Sequence, residues 1–185
     1  MIMATSGRTV VLGLGNPVLS DDGVGLAVAT ELTRLLAVEP IRGVDVLAST
    51  RAGFELIDLL RGYTRAIILD CIVLADPQPG RVCRLTLDEV SGCARLVNAH
   101  ELSVGSAFRL AEQMEILRPG EVEIIAVEAG DASTIAEGLT PAVQAAVGPL
   151  SREIYEALKQ NEPPSDPPDT EDFRTRRAFY SPGVE

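Results

Sequence analysis

The sequence predicts an α/β protein, organised as a three-layer α/β/α sandwich with a mostly parallel, twisted five-stranded sheet. Short apolar runs alternate along the chain with amphipathic segments of helical period. Such alternation is typical of parallel strands that are joined by helices packed on both faces of a sheet. The chain has 185 residues and is 46% hydrophobic, which fits one domain with a substantial core.

Five apolar runs are predicted to form the strands. The run at 66–69 is the most apolar and leads directly into Asp70, so we expect it to be buried on both faces. The run at 81–87 follows prolines and Gly80, which favours a place nearer the sheet edge. In chain order the predicted strands span residues 9–12, 44–48, 66–69, 81–87 and 122–127.

Apolar side chains at helical spacing predict the helices between and after these strands. One helix is expected to begin at Asp21 or Asp22, and others to span residues 52–61 and 101–117. Thr140-Pro141 predicts the start of the last helix, because threonine suits the cap position and proline the first turn. A kink in that helix is expected at Gly148-Pro149.

The two ends of the chain differ from the rest in composition. Residues 1–8 are predicted to be a loose arm before a domain that spans residues 9–160. Residues 161–185 hold five of the twelve prolines and six acidic residues, with few aliphatic side chains. Such a segment cannot bury enough apolar surface to offset its ordering entropy, so we expect a disordered tail.

Charge and cysteine usage narrow the function classes. The net charge of −11 disfavours nucleic acid as a partner, since phosphate contacts need clustered Lys and Arg. The three cysteines have no C-x-x-C spacing, and their odd number suggests a reducing, cytoplasmic location. No signal-peptide pattern or apolar run of membrane-spanning length is present, so membrane insertion is not expected.

The run GLGNPVLSDDGVG at residues 13–25 is the most informative segment. It passes from a buried strand through a turn into a helix, and open α/β folds place their chemistry at such junctions. The third glycine of a dinucleotide-binding fingerprint would fall at Val18, and a P-loop would require a Gly-Lys-Ser/Thr sequence that is absent. Because the junction carries Asp21 and Asp22 and no lysine, it predicts a cation or proton site.

Each candidate residue also has a structural interpretation. One aspartate of the Asp21-Asp22 pair suffices to cap the helix, which would leave the second free to point into the crevice. Asp70 could cap a turn, although a carboxylate at the carboxyl end of a central strand favours a ligand site. His100, the single histidine, could be structural or could bind a borderline metal such as Ni²⁺ or Zn²⁺.

Four motifs in this order resemble the hydrogenase maturation endopeptidase family, over about residues 9–158. They are GLGNPVLSDDGVG at 13–25, AIILD at 66–70, HELS at 100–103 and GLTP at 138–141. The resemblance implies a twisted sheet flanked by helices. It also implies a protease that removes a short C-terminal peptide from the large subunit of a [NiFe] hydrogenase once nickel is loaded.

The same resemblance implies that Asp22, Asp70 and His100 contact nickel and carry the catalysis. The nickel would be carried by the hydrogenase large-subunit precursor and bound weakly or not at all by the free enzyme. Some relatives have glutamate where this chain has Asp22, which is one methylene shorter. Hydrolysis could use a metal-polarised carbonyl or water, or an aspartate as base. No H-E-x-x-H motif is present, and Ser103 lacks the nucleophile elbow of a serine triad.

Two other functions share parts of this pattern. A peptidyl-tRNA-hydrolase-like esterase also begins with GLGNP, but it needs a histidine a few residues later, where this chain has Asp21-Asp22. It also needs a basic face for tRNA. A non-proteolytic nickel-binding assembly chaperone would use the same trio for binding alone, and a cleavage assay distinguishes it from a protease.

Overall fold

A computed structural model describes residues 7–50, 55–74, 76–87, 104–114, 116 and 119–161. These residues form a five-stranded sheet in the order β2-β1-β3-β5-β4. The strands are β1 (Thr9–Leu14), β2 (Val44–Ser49), β3 (Arg65–Ile72), β4 (Val82–Leu85) and β5 (Glu121–Glu128).

The sheet is mixed but mostly parallel, which confirms the predicted fold class. β1 pairs in parallel with β2 and β3, and β3 pairs in parallel with β5. β4 pairs antiparallel with β5 at the edge of the sheet, with Val82 opposite Val127. The strand that follows Gly80 therefore takes the edge position that the sequence predicts.

Helices cover both faces of the sheet and complete the three layers. Alternating strand residues point to opposite faces, so Val11 and Leu69 pack with one pair of helices and Leu12 and Ile68 with the other. The first pair is α1 (Val24–Val38) and α4 (Pro141–Gln160), and the second is α2 (Glu55–Leu59) and α3 (Val104–Gln113).

The helices α1 and α4 also contact each other directly. Ser151 of α4 donates its hydroxyl to the carbonyl of Val28 in α1 at 3.2 Å. The hydroxyl of Tyr155 donates to the carbonyl of Glu39 at the end of α1, and Lys159 forms an ion pair with the Glu39 carboxylate. Together these contacts fix α4 against α1.

β3 is longer than the apolar run in the sequence. The prediction ended this strand at Leu69, whereas it continues to Ile72 and places Asp70 inside the strand. The reason is that β5 is equally long, and Asp70, Cys71 and Ile72 pair with its last three residues. A buried carboxylate does not end a strand when the partner strand still supplies backbone hydrogen bonds.

The strand order contains a topological switch point between β1 and β3. The chain leaves β1 towards β2 on one side, and the strands that follow β3 lie on the other side. In open α/β sheets such a reversal forms a crevice outside the carboxyl ends of the two strands, where ligands bind. Asp22 follows β1 and Asp70 lies near the end of β3, so both belong to this edge.

The predicted arm at 1–8 and tail at 161–185 lie almost entirely outside the described residues. Asn161 is an exception and belongs with α4, because its side-chain amide donates to the carbonyl of Ala157. Within the described part of the chain, no helix is both long and apolar enough to cross a membrane.

Candidate active site at the carboxyl edge of the sheet

A tight turn after β1 brings two aspartates under the end of the sheet. The 3₁₀ turn Ser20–Gly23 leads directly into α1. Gly15 before it has φ +141°, and a Cβ at this position would lie 1.9 Å from the carbonyl oxygen of Asp22. Only glycine therefore allows the chain to fold back so closely on Asp22.

Asp21 is a structural carboxylate and joins three segments. Its Oδ2 accepts hydrogen bonds from the main-chain N–H groups of Gly130 and Asp131, at 2.9 and 3.0 Å. The main-chain N–H of Thr140 donates to Oδ1 at 2.6 Å, and the Thr140 hydroxyl donates to Oδ2. The side chain is fully buried. Asp21 thus fixes the β5–α4 loop and the start of α4 to the turn after β1.

Asp22 faces the end of β3. Its Oδ2 accepts the main-chain N–H of Asn16 at 2.7 Å, and its Oδ1 accepts the Cys71 thiol at 3.2 Å. The prediction that one aspartate of the pair caps the helix is wrong, because no side chain caps either the 3₁₀ turn or α1. The two carboxylates instead accept hydrogen bonds from other segments of the chain.

Cys71 links the two candidate carboxylates. Its main-chain N–H donates to Asp70 Oδ1 at 2.8 Å, while its thiol donates to Asp22 Oδ1. Burial raises the pKa of the Cys71 thiol far above its ordinary value, and the negative charges of Asp70 and Asp22 raise it further. The thiol therefore stays protonated and acts as a hydrogen-bond donor.

Asp22 and Asp70 both contact Cys71 near the β1/β3 switch point, Asp22 through the thiol and Asp70 through the main-chain N–H. Both are buried, with 6% and 1% of their surface exposed, instead of lying on the open surface of a crevice as expected. Gly25 at the start of α1 packs against the ends of both strands, since a Cβ there would meet the carbonyls of Leu14 and Leu69. The close helix start shields the carboxylates from water.

The third predicted residue, His100, lies outside the described residues, so the convergence of the full trio stays a prediction. Among the residues that are described, no group of three or more His, Cys, Asp or Glu side chains is placed to hold a metal ion. Carboxylate oxygens and an imidazole together form a donor set that a borderline divalent metal accepts.

Sequence reasoning missed Glu128, a buried carboxylate at the same edge. Glu128 is the last residue of β5 and its side chain is fully buried. Arg81 forms an ion pair with its Oε2 at 2.8 Å. The signal was present in the sequence, because Glu128 follows the apolar run 122–127 just as Asp70 follows the run 66–69.

A cavity of about 340 Å³ lies at the opposite, amino edge of the sheet. Thr9, Arg65, Glu121 and Asn161 are among the residues that line it. It contains neither of the candidate carboxylates. Since ligands of open α/β sheets bind outside the carboxyl ends of the strands, this cavity is not the candidate active site.

A mostly parallel sheet with two buried carboxylates, Asp22 and Asp70, near its switch point defines an α/β protein with a polar site at the carboxyl edge of the sheet. The hydrogenase maturation protease (HycI) family matches the chain over residues 26–157, a range that includes Asp70 and His100. The hydrogenase 2 maturation protease of Escherichia coli (strain K12) is 27% identical over 158 residues, covering 83% of this chain and 92% of that relative.

Solved structures agree with this match. The hydrogenase maturating endopeptidase HybD from E. coli has a TM-score of 0.66 and 25% identity, covering 83% of this chain and 93% of its own. The hydrogenase 2 maturation peptidase from Thaumarchaeota archaeon SCGC_AB-539-E09 has a TM-score of 0.57 and 27% identity, covering 82% and 97%. A [NiFe] hydrogenase maturation protease HycI from Thermococcus kodakarensis KOD1, at 21% identity and a TM-score of 0.64 over 84% and 95%, shares the fold.

The chain belongs to the hydrogenase maturation protease family. It is accordingly a peptide hydrolase, and the resemblance that the four motifs indicate is confirmed.

Proposed function

We propose that this protein removes a short C-terminal peptide from the nickel-loaded large subunit of a [NiFe] hydrogenase and uses that nickel for recognition. The observation that carries the proposal is that two buried carboxylates, Asp22 and Asp70, both contact Cys71 at the β1/β3 switch point. A hydrogenase maturation protease needs a way to sense that its substrate holds metal, and two carboxylates at one edge offer oxygen ligands for it.

In this proposal the precursor's nickel docks on Asp22, Asp70 and His100. The burial of both carboxylates lowers the local dielectric constant, which strengthens their attraction for a cation delivered by the substrate. Docking also fixes the scissile bond beside the carboxylates. Positioning of this kind contributes to catalysis whether an aspartate or a metal-polarised water then completes the hydrolysis.

Asp22 can keep its hydrogen-bond partners when metal arrives. Both of its oxygens accept hydrogen bonds, one from Asn16 N–H and one from the Cys71 thiol. Each oxygen has more than one lone pair, so a metal can bind while these donors keep the carboxylate oriented. Asn16 and Cys71 would then orient the Asp22 carboxylate, as hydrogen-bond donors behind the ligands do in other metal sites.

The proposal is tested with the cognate large-subunit precursor in nickel-loaded and nickel-free forms. The mass of the large subunit after incubation reports C-terminal cleavage. We expect cleavage of the loaded precursor alone, and no cleavage with Asp70→Asn or His100→Ala. Asp58→Asn is the matched control, since Asp58 is an exposed α2 carboxylate that pairs with Arg61.

Stability is measured beside activity for the same variants. Asp70→Asn keeps the shape of the side chain and an acceptor for the Cys71 N–H, so its denaturation midpoint should stay near wild type. A purely structural Asp70 would show the opposite pattern, with lowered stability and retained cleavage. Normal cleavage by both variants would contradict the mechanism, and nickel transfer without cleavage by the wild type would indicate an assembly chaperone.

A further inference from the structure

One carboxylate oxygen of Glu128 has no hydrogen-bond donor in the part of the chain that the structure describes. The side chain is fully buried at the end of β5. Arg81 occupies Oε2 at 2.8 Å, while Oε1 has no partner among the described residues. Buried charged oxygens are almost always paired, so one that is not calls for a specific explanation.

Its position relates this free oxygen to Asp70. Ile68 pairs with Ile124, Asp70 with Ala126 and Ile72 with Glu128 in the parallel β3–β5 ladder. Because side chains alternate along a strand, Asp70 and Glu128 share the sheet face on which Ile68 and Ile124 are buried. Their Cα atoms lie roughly 8 Å apart, since strands are spaced by about 4.8 Å and two residues advance about 6.6 Å.

Arg81 holds Glu128 from the side that faces away from Asp70. Arg81 lies opposite Glu128 as the chain enters β4, and its carbonyl accepts the Glu128 main-chain N–H at 2.8 Å. The strand order puts β4 on one side of β5 and β3 on the other. The guanidinium therefore balances the carboxylate charge and fixes its orientation, while the lone pairs of Oε1 remain available to a donor.

We infer that Glu128 is a substrate-binding residue of the maturation protease, and that its free oxygen accepts a main-chain N–H of the bound precursor near the scissile bond. This inference rests on the proposed function. A peptide N–H is the donor that every polypeptide substrate carries, and a buried acceptor binds it far more strongly than an exposed one. Arg81 is then a positioning residue, because it acts through Glu128.

The experiment compares Glu128→Gln with wild type in steady-state cleavage of the nickel-loaded precursor. Glutamine keeps the size of the side chain but replaces a charged acceptor with a neutral amide, so we expect kcat/KM to fall by about tenfold or more. The denaturation midpoint should fall only slightly, since the amide oxygen of glutamine can still accept the hydrogen bond from Arg81. A rise in KM larger than the fall in kcat would identify a binding contact.

Glu123→Gln is the matched control. Glu123 lies on the same strand but on the opposite face, and it is ion-paired with Arg65 and Arg84. Its loss should leave kcat/KM unchanged. Arg81→Gln is the second test variant, and because the Arg81 side chain is 45% exposed, its replacement should be tolerated by the fold. It should lower kcat/KM severalfold, and the midpoint should fall only in part, because the glutamine amide can still donate to the buried Glu128 carboxylate.

Four results would overturn the inference. Wild-type kcat/KM for Glu128→Gln, with an active wild-type enzyme, would overturn this inference alone. If Glu128→Gln loses cleavage only in proportion to a lowered midpoint, the ion pair is structural and the inference is wrong. The same conclusion follows if Glu128→Gln fails to fold while Arg81→Gln cleaves at the wild-type rate. If the wild-type protein cleaves no loaded precursor, the proposed function fails, and the inference fails with it.

Discussion

Two adjacent aspartates have different structural environments, although they look equivalent in the sequence. Asp21 accepts four hydrogen bonds from the β5–α4 loop and the start of α4. Asp22 accepts one main-chain N–H and one thiol beside Asp70. The first residue holds the loop that flanks the site, and the second is a candidate member of the site.

Asp21→Ala should therefore be among the most destabilising single changes at this edge. It removes a fully buried carboxylate that accepts three part-buried main-chain N–H groups, which predicts a loss of about 2–4 kcal/mol in the free energy of unfolding. Urea denaturation measures this loss. Asp58→Ala on the exposed surface of α2 is the control, and equal midpoints for the two variants would refute the structural assignment of Asp21.

Residue-level roles were the hardest to predict from the sequence. The motif 13–25 identified both aspartates and the strand end identified Asp70, because strand-turn-helix junctions and strand ends are where α/β folds place polar groups. The sequence could not assign the partners of Asp21, since Gly130 and Thr140 are more than a hundred residues away and meet it only through the folded sheet.

The strands and helices were predicted better than the residues at which they begin and end. All five strands and the helices around them lie where hydrophobic periodicity puts them, because periodicity records burial directly. The ends of β3 and β5 were wrong, since each strand extends as far as its partner continues to pair with it. Asp70 and Glu128 are polar, yet they remain in the ladder for this reason.

The β5–α4 loop has its own pH-sensitive contact. Hydrogen bonds from Thr134 and Ser133 lower the pKa of the exposed Asp131 from 3.8 to about 2. A carboxyl group whose pKa is lower in the folded protein contributes stability above the unfolded pKa and loses it as pH falls through the folded pKa. Thermal unfolding of wild type and Asp131→Asn should differ near pH 5, and the difference should shrink between about pH 4 and pH 2. A constant difference across that range would contradict this contact.

At the scale of the whole molecule, the strand order determines where chemistry can occur. The switch point lies between β1 and β3, so the residues after β1 and at the end of β3 meet at one edge although almost fifty residues separate them. The sequence match to the family and the similarity to its solved structures both support this arrangement of strands. The last described helix, α4, ends at Gln160, and the side-chain amide of Asn161 donates to the carbonyl of Ala157 in its last turn.

The acidic C-terminal segment is expected to be dispensable for folding. Residues 162–185 are rich in proline and acidic side chains, a composition that cannot build a core. Truncation after Asn161 should leave the thermal unfolding temperature nearly unchanged, because the packing of α4 on α1 is complete at Lys159. A large drop in that temperature would show that the segment packs on the domain.

Nickel affinity is a property of the enzyme and its substrate together. The proposed set of Asp22, Asp70 and His100 supplies three ligands and no thiolate, since the pKa of the Cys71 thiol is raised and the group stays protonated. Titration calorimetry should therefore find weak nickel binding to the free wild-type protein and a further loss with His100→Ala. Asp58→Asn should bind as the wild type does. If the purified protein keeps one nickel per chain after treatment with a chelator, the prediction is contradicted, because the free enzyme would then bind nickel tightly without the precursor.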